Sequence, residues 1–540
     1  MSLLNVKKVN KKKAQYQYYQ KIRERTESLL GSRSITLKRY EKKYDQELLT
    51  AKWQVSDKTD FFKCLKKNEI ILVGDFHAQA QSTRSFLRIA RKLGANQICL
   101  ALESIPSEYQ SILDQYIQGH LAEKDFLKKI EWKKNWGFPW EYTKPLLRWA
   151  IQNQVPVLAL NSITKKKLSE RDLHAAKIIL KAKKLHQQRQ MMVQFGDFHL
   201  AEAHLPKTLK KLNKKISLMT VLQSPEELFF KVLNQKNEYK KDISQIDFIK
   251  MGHSRWAIMS VVPWVKWQDY LLFLESGKDK KIEIDDFDMT DHVAQAVQVI
   301  SQTLQKNIDT SELSVYSVTD DQIFDQVALL PQSSRIFYKQ QMISGQSFYS
   351  HELKSGFVAR ASVNHISRAA AQYYLYKKGL YLKTQVHFKK DFTKMIWYEM
   401  LVYFLTKIIN PKRKTNTLED IRNAIKSENF IDLGKEALVL SIEQKFNELK
   451  YVTTGLITPA KSQRKTVVNQ RSYLTASQIL GGMLGEKLYV AFQRKILKWP
   501  QQESFLFQNL DQLHFDKKYY EYIEIIDSWP VSMKSKFDRF

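Results

Sequence analysis

The sequence is poor in cysteine, with only Cys64 and Cys99 among its 540 residues. A secreted protein of this length more often contains several disulfides, so a reducing compartment is favoured. Both cysteines lie in or beside apolar segments, and we interpret them as small buried side chains. No zinc-site spacing and no glycine-rich phosphate-binding loop is found in the sequence.

Long hydrophobic runs are also absent. No segment reaches the roughly 18 uninterrupted apolar residues that a transmembrane helix requires. The N-terminal segment MSLLNVKKVNKKKAQYQYYQ lacks the apolar stretch of a signal peptide and has no cysteine that could carry a lipid. We therefore expect a cytoplasmic protein without a membrane span.

Acidic residues are outnumbered, with 56 Asp and Glu against 87 Lys and Arg, which gives a net charge of +31. Such a balance suits nucleic acid, an anionic membrane surface or a small anionic ligand. The basic residues are spread along the whole chain, and no DNA-binding or RNA-binding motif accompanies them. A solubilising basic surface is the simplest interpretation, with nucleic acid kept as an alternative partner. The oligomeric state is not indicated.

The pattern of apolar residues divides the chain into three regions. Residues 1–59 are polar, basic and rich in tyrosine, and we interpret them as a helical arm. Residues 60–285 alternate short apolar runs with helical periods, whereas residues 286–540 show mainly helical spacing and have no assigned role. The charge-dense segment KDKKIEIDDFD (278–288) is expected to link the last two regions. The chain length agrees with more than one domain.

Five apolar runs in the second region have the pattern of strands that are buried on both faces, which is typical of parallel sheets. Helical periods separate most of the runs, and this repeated strand–helix–strand order predicts a doubly wound, mainly parallel α/β fold. A mainly α-helical C-terminal domain is expected to follow. The runs are EIILVG (69–74), ICLALE (98–103), VPVLAL (155–160), MMVQFG (191–196) and ISLMTVL (216–222).

Polar residues follow these runs where the strands are expected to end. The tetrapeptide Gly-Asp-Phe-His occurs at 74–77 and again at 196–199, and Glu103 and Asn161 follow the two runs between them. Ligands of open α/β sheets bind at the carboxyl ends of the strands. We therefore predict that these residues converge at one edge of the sheet. The glycines are expected to give the backbone freedom for a sharp turn.

The residue types at these strand ends suit metal or acid–base chemistry. Neutral imidazole binds Fe, Zn, Mn or Cu and acts as a general base near neutral pH. His77, Glu103 and His199 are therefore a candidate set of ligands for Zn, Mn or Fe. The simpler interpretation is that each histidine bonds to backbone, that Glu103 is a surface carboxylate, and that Asp75 and Asp197 cap turns.

A second feature is the aromatic segment EWKKNWGFPWEYTKPLLRWA (131–150). The residue before a proline is held extended, so Gly-Phe-Pro at 137–139 predicts a rigid loop that leads into a helix. Trp136, Trp140 and Tyr142 could stack on a flat cofactor at the edge of the site. The alternative is a hydrophobic plug under the next helix.

The order of these motifs resembles the ChaN-like haem-binding domain of the Tiki/TraB/erythromycin-esterase group. The similar segments are ILVGDFH, LALES, WGFPWEY, VPVLALN and GDFHLAEAHLP, of which the WGFPW segment is the most diagnostic. The resemblance covers residues 60–285. Within it, the positions that the family pattern describes are occupied by Gly74, His77, Glu103, Pro145, Asn161, Gly196, His199 and Pro206.

The resemblance implies haem binding and a role in haem or iron handling. His77, His199 or a nearby tyrosine would be candidate axial ligands. The wider group implies an alternative, a metal-dependent hydrolase, and a third interpretation is a non-catalytic scaffold whose helical half binds a partner. Whether the chain is an enzyme stays open. The residues expected to contact the cofactor are His77, Glu103, Trp136, Trp140, Tyr142, Asn161 and His199.

Overall fold

The computed structural model describes residues 11–31, 33–234, 246–275, 289–317, 320–384, 388–427, 434–457, 469–497, 502–531 and 533–535. The described residues form two compact units. One unit lies within Lys21–Asp285, and the other combines Met1–Gln20 with Asp286–Arg539. The predicted linker at 278–288 lies outside the described residues. The residues of the predicted arm are divided between the two units.

The first unit is built on an eight-stranded sheet. Its strand order is β1-β7-β8-β6-β2-β5-β3-β4, and its parallel neighbours are joined by crossover connections, as parallel pairing requires. From β8 to β4 all neighbours are parallel, whereas β7 pairs antiparallel with both β1 and β8. The strands are β1 (Gln54–Ser56), β2 (Ile70–Asp75), β3 (Ile98–Pro106), β4 (Val157–Asn161), β5 (Gln190–Gly196), β6 (Leu218–Gln223), β7 (Phe248–Lys250) and β8 (Arg255–Ile258).

The predicted fold class is confirmed, because the central strands are parallel and buried. Every residue of β2, β3 and β6 is buried, since helices cover both faces of the sheet. The helices are α1 (Lys11–Leu30), α2 (Ile35–Thr50), α3 (Lys58–Leu65), α4 (Ala80–Leu93), α5 (Gln110–Ile117), α6 (Glu123–Lys129), α7 (Trp132–Asn135), α8 (Trp140–Gln152), α9 (Leu168–Leu185), α10 (Leu205–Leu212), α11 (Glu226–Asn234) and α12 (Pro263–Glu275).

The second unit is mainly helical, as the apolar spacing predicts. It also contains a small sheet that the spacing does not reveal, formed by β9 (Ser314–Ser317), β10 (Phe348–Ser350) and β11 (Ser355–Val358). None of the helices in the described ranges is long and apolar enough to cross a membrane. The helices are α13 (Met289–Thr303), α14 (Asp321–Ala328), α15 (Gln332–Ile343), α16 (Val363–Lys377), α17 (Phe392–Ile409), α18 (Leu418–Lys426), α19 (Lys435–Thr454), α20 (Gln470–Gln493), α21 (Glu503–Leu506) and α22 (Phe515–Ser528).

The centre of the helical unit depends on a close approach of α17 and α20. Almost every residue of α17 is buried, and α20 presents glycines to it at 481, 482 and 485. A Cβ atom on Gly481 would lie 2.7 Å from the backbone nitrogen of Met400 and 2.6 Å from Cβ of Glu399. The two backbones can therefore approach this closely only if this position of α20 has no side chain.

Replacing Gly481 by Ala is expected to destabilise the helical unit. Overpacking of this kind costs about 1–3 kcal/mol, which exceeds the ~1 kcal/mol that alanine gains over glycine within a helix. Urea unfolding followed by circular dichroism measures the loss, with the exposed Arg471→Ala on the same helix as the matched control. Equal stability of the two variants would contradict the close packing.

Candidate functional site

The two Gly-Asp-Phe-His tetrapeptides lie side by side at the carboxyl edge of the sheet. β2 and β5 are parallel neighbours, with Gly74 opposite Phe195 and Asp75 opposite Gly196. The sheet order reverses around these strands, because β3 and β4 lie beyond β5 whereas β6 lies beyond β2. Such a switch point leaves a crevice at the strand ends. The tetrapeptides therefore occupy the place where this fold normally binds ligands.

His77 is held between two carboxylates. Its Nδ1 lies 2.7 Å from Oδ2 of Asp75, and its Nε2 lies 3.9 Å from Oε2 of Glu103. The same Glu103 oxygen accepts a hydrogen bond from the backbone nitrogen of Gly196 at 2.6 Å. Burial alone would lower the pKa of His77. The hydrogen bond to Asp75 and the charges of Asp75, Glu103 and Asp197 outweigh burial and raise the pKa to about 9.

The glycines of the tetrapeptides serve close packing, so the prediction that they supply turn freedom is wrong. Gly196 has a φ of −53°, which any residue adopts, and Gly74 is not among the glycines with positive φ. A Cβ atom on Gly196 would lie 3.3 Å from the ring of His77 and from Oε2 of Glu103, and one on Gly74 would collide with Oδ1 of Asp197. The absence of a side chain lets the acidic groups approach the strands.

Asp197 is a buried carboxylate beside a buried ammonium group. Its Oδ2 lies 3.6 Å from Nζ of Lys266, which also lies 3.7 Å from Glu226 and stands over the ring of Phe76. Among the described residues, neither carboxylate oxygen of Asp197 has a hydrogen-bond partner. Burial raises the pKa of Asp197 to about 6, although Lys266 opposes the shift. The capping role expected for Asp197 is therefore not observed.

Lys266 is a site residue that was not predicted from the sequence. It is the one cation within the apolar, aromatic sequence PWVKWQDYLLFLE of α12, and it is only 5% exposed. A lone lysine at a buried position of such a helix needs a charged partner. A single lysine in an otherwise apolar, aromatic helix was therefore the sequence feature that could have identified Lys266 as a site residue.

His199 belongs to a separate cluster on the same edge. Its Nδ1 lies 2.5 Å from Oδ1 of Asp172 in α9, and the other Asp172 oxygen accepts a hydrogen bond from the hydroxyl of Tyr40 in α2. The Tyr40 ring stacks on His204 and meets His199 edge-on. Asp172 and Tyr40 were not predicted to be site residues, because the sequence placed them in a crossover helix and in a separate arm.

A cavity of about 690 Å³ joins these groups within the first unit. His77, Glu103, Asp197 and His199 all line it, and residues of α1 and α2 line it as well. The hydroxyl of Tyr44, from α2, is buried beside the cavity and has no hydrogen-bond partner within the described ranges. The region that the sequence assigns to an arm therefore contributes directly to the site.

The aromatic segment 131–150 is divided between the site and the core. Trp136 and Phe138 pack against the ring of His77, with centroid distances of 4.4 and 5.4 Å. Trp140 instead packs with Trp132 and Phe126 in the hydrophobic core. The expectation that Trp140 reaches the site edge is therefore wrong, and the plug interpretation is right for that residue.

Tyr142 and Asn161 do not line the cavity. Burial and the charge of Asp269 raise the pKa of Tyr142 to about 12. Asn161 lies at the end of β4 as predicted, but its Oδ1 accepts a hydrogen bond from the backbone nitrogen of Ser162. It thus stabilises the turn that follows the strand.

The predicted metal set of His77, Glu103 and His199 gains no support. Among the described residues, no group of three or more His, Cys, Asp or Glu side chains could hold a metal ion. The three side chains share a cavity, but each is engaged elsewhere: His77 by Asp75, His199 by Asp172, and Glu103 by a backbone amide.

The chain matches a known family over part of this unit. Residues 61–170 match the family model described as haem-binding uptake, Tiki superfamily, ChaN. A solved structure titled "Cofacial heme binding to ChaN of Campylobacter jejuni" is 16% identical over 32% of this chain and 87% of that one, with a TM-score of 0.25. No curated protein matches the sequence. Residues 61–170 of this chain are therefore similar to the ChaN-like haem-binding family of the Tiki superfamily.

Proposed function

We propose that the ChaN-like domain binds haem in the cavity at the carboxyl edge of its sheet, as part of haem or iron handling. The observation that carries the proposal is the cavity itself, which is lined in part by residues from the region matching the haem-binding family model. Its volume of about 690 Å³ is in the usual range for small-molecule and cofactor sites, roughly 300–1,000 Å³.

The lining of the cavity suits a flat, mostly apolar ligand. The rings of Phe76, Phe138, Trp267 and Tyr270 lie on its wall, and aromatic side chains stack favourably on a conjugated macrocycle. Tyr44 also lines the cavity, and within the described part of the chain its buried hydroxyl has no hydrogen-bond partner. A buried polar group without a partner is costly, so a ligand that engages it would remove a penalty.

The positive and negative side chains that line the cavity nearly balance, so the net charge of the chain does not describe the charge at the cavity. Six cationic and seven acidic side chains line it, so the overall charge of +31 does not by itself explain how the two propionates would be held. Lys166, Lys167 and Arg171 are close in sequence and line the cavity, and both lysines are exposed. We assign the propionates to this group, because charge-assisted hydrogen bonds to carboxylates are the strong ones.

Haem would supply an iron centre and a redox-active ring when bound. The residues of this chain would enclose the ring, neutralise its carboxylates and exclude water. His77 would keep its proton at neutral pH, because Asp75 and Glu103 stabilise the imidazolium. The cavity would thus present a protonated imidazole together with lysine and arginine side chains.

Titration of the full chain with hemin tests the proposal. We expect a Soret band that is shifted from that of free hemin and saturates at a fixed stoichiometry. The double variant Lys166→Glu, Lys167→Glu is expected to weaken hemin binding about tenfold, which corresponds to ~1.4 kcal/mol.

The matched control is Lys207→Glu, Lys210→Glu, which changes the net charge equally in a separate groove of the same unit. Its affinity for hemin should equal that of the unaltered chain. An unshifted free-hemin spectrum at equimolar ratio would refute haem binding, and equal weakening by both double variants would refute the assignment of the propionates.

A further inference from the structure

The amino edge of the sheet in the first unit, opposite the cavity, is strongly basic. The parallel strands β2 to β6 all begin at this edge, and a helix ends shortly before each of them. The last turns of these helices and the connections that follow contain twelve Lys and Arg residues but one acidic residue, Glu69. The carboxylate of Glu69 accepts hydrogen bonds from the backbone nitrogen and the hydroxyl of Ser217. We call these segments the amino-edge surface: 62–69, 90–97, 149–156, 182–189 and 209–217.

Most cations of the amino-edge surface are available to a partner. Ten of the twelve are exposed, whereas Lys183 and Arg189 donate to backbone oxygens. Within the described ranges, no carboxylate lies within ion-pair distance of any of the ten. The negative end of a helix dipole favours a cation in the last turn. It does not explain the lysine pairs at 66–67 and 214–215, which follow the ends of their helices.

Two large apolar side chains are exposed among these cations. Leu185, the last residue of α9, is 74% exposed, and Leu212, the last residue of α10, is 45% exposed. The two helices pack against each other. They run in the same direction, because each leads back to the start of a strand of the parallel sheet. The two leucines therefore lie at neighbouring helix ends, and each is preceded by a pair of lysines.

A lipid bilayer with anionic headgroups fits both the charge and the exposed leucines. Its negative surface potential attracts lysine and arginine, and apolar side chains beside them enter the boundary between headgroups and acyl chains. Nucleic acid fits the charge alone. Single strands are bound by stacking of bases on aromatic side chains. The Phe and Trp side chains of the amino-edge surface, Phe62 and Trp149, are buried.

We propose that the amino-edge surface binds an anionic lipid bilayer, with Leu185 and Leu212 inserted among the headgroups and the surrounding lysines on their negative charges. The proposal goes beyond haem binding and does not depend on it. The cavity lies at the carboxyl edge, so it would be on the side of the sheet that faces away from the bilayer.

Co-sedimentation of the full chain with lipid vesicles tests the proposal. Vesicles of equimolar phosphatidylcholine and phosphatidylserine are compared with vesicles of phosphatidylcholine alone. We expect binding to the mixed vesicles that is at least about tenfold stronger and that weakens as NaCl is added, because salt screens the charges. The double variant Lys214→Glu, Lys215→Glu should weaken it by about tenfold or more, since each lysine near an anionic surface contributes a factor of about five in affinity.

Two further double variants separate the effect of this surface from that of net charge. The matched control is Lys128→Glu, Lys129→Glu, which makes the same change of charge at an exposed lysine pair of α6. It should bind the mixed vesicles like the unaltered chain. Leu185→Gln, Leu212→Gln leaves the charge unchanged and should weaken binding about tenfold, because the apolar insertion is lost. Circular dichroism checks that each variant is folded.

The other possible results each contradict part of the proposal. Equal binding to both kinds of vesicle, or binding to neither, would refute an anionic bilayer as the partner. Equal weakening by both lysine variants would show that net charge acts and not the amino-edge surface. An unchanged affinity of the leucine variant would overturn the insertion. Tighter binding of a single-stranded oligonucleotide than of the mixed vesicles would assign the surface to nucleic acid instead.

Discussion

Replacing Asp75 by Asn is expected to lower the pKa of His77 from about 9 to 6.5 or below. Burial pushes this pKa down, and the hydrogen bond and charge of Asp75 are the largest effects that push it up. Asparagine keeps an acceptor near Nδ1 but removes the charge, so burial is no longer outweighed. At pH 7.5 the imidazole should change from mostly protonated to mostly neutral.

Histidine-selective NMR of the unliganded chain measures this change. The signal of His77 among the 12 histidines is assigned as the one that disappears in His77→Gln, and its shift is followed from pH 5 to 10. Asp114→Asn, which removes an exposed carboxylate from the same unit, should leave the midpoint near 9. A midpoint that stays near 9 in Asp75→Asn would show that Asp75 does not hold the proton on His77.

The raised pKa also determines how stability depends on pH. Because the folded-state pKa exceeds the unfolded value of 6.5, the contribution of His77 is fully present below pH 6.5 and is lost as the pH rises through about 9. The difference in unfolding free energy between the unaltered chain and Asp75→Asn should therefore shrink between these two values. A difference that grows over this range would contradict the sign of the shift.

Breaking the buried ion pair of the helical unit is expected to cost about 3–5 kcal/mol. Arg368 and Glu399 are 8% and 6% exposed, and two hydrogen bonds of 2.8 and 2.6 Å join them. The guanidinium Nε also donates to the backbone oxygen of Ser347. Glu399→Leu would leave a charge that is buried and unpaired, which is the costly case.

A double-mutant cycle with Arg368→Met and Glu399→Leu measures the coupling by urea unfolding. Each single change should be strongly destabilising, whereas the double change should recover much of the loss, because a buried ion pair is often replaceable by apolar side chains of similar volume. Arg471→Ala again provides the exposed control. Additive losses in the double variant would show that the two side chains are not coupled.

The fold of the first unit could be predicted from the sequence because its strands are apolar on both faces. All five predicted runs became strands of the sheet, with ends that differ from the predicted ones by at most three residues. The carboxyl-edge position of the two tetrapeptides followed from the same pattern, since parallel strands end at one edge. The small sheet around Gly356 was missed, because strands as short as Phe348–Ser350 have too few residues to show alternation.

The partners of the site residues could not be predicted, because they come from distant parts of the chain. Asp172 and Tyr40 reach His199 from a crossover helix and from the first 59 residues, and Lys266 reaches Asp197 from the last helix of the unit. Local spacing carries no information about such contacts. Neither could it distinguish Trp136, at the site, from Trp140, in the core.

The sequence by itself determined the parallel sheet, its ligand-binding edge and the presence of two imidazoles at that edge. It did so because local patterns of apolar residues indicate which strands are buried and how they run. Only the tertiary structure decided that each imidazole is tied to its own carboxylate, so that the three predicted ligands do not form a metal site. It also decided that the tetrapeptide glycines serve close packing. The reason is physical: hydrogen bonds and steric limits depend on the distance between atoms, which the chain fixes only after it has folded.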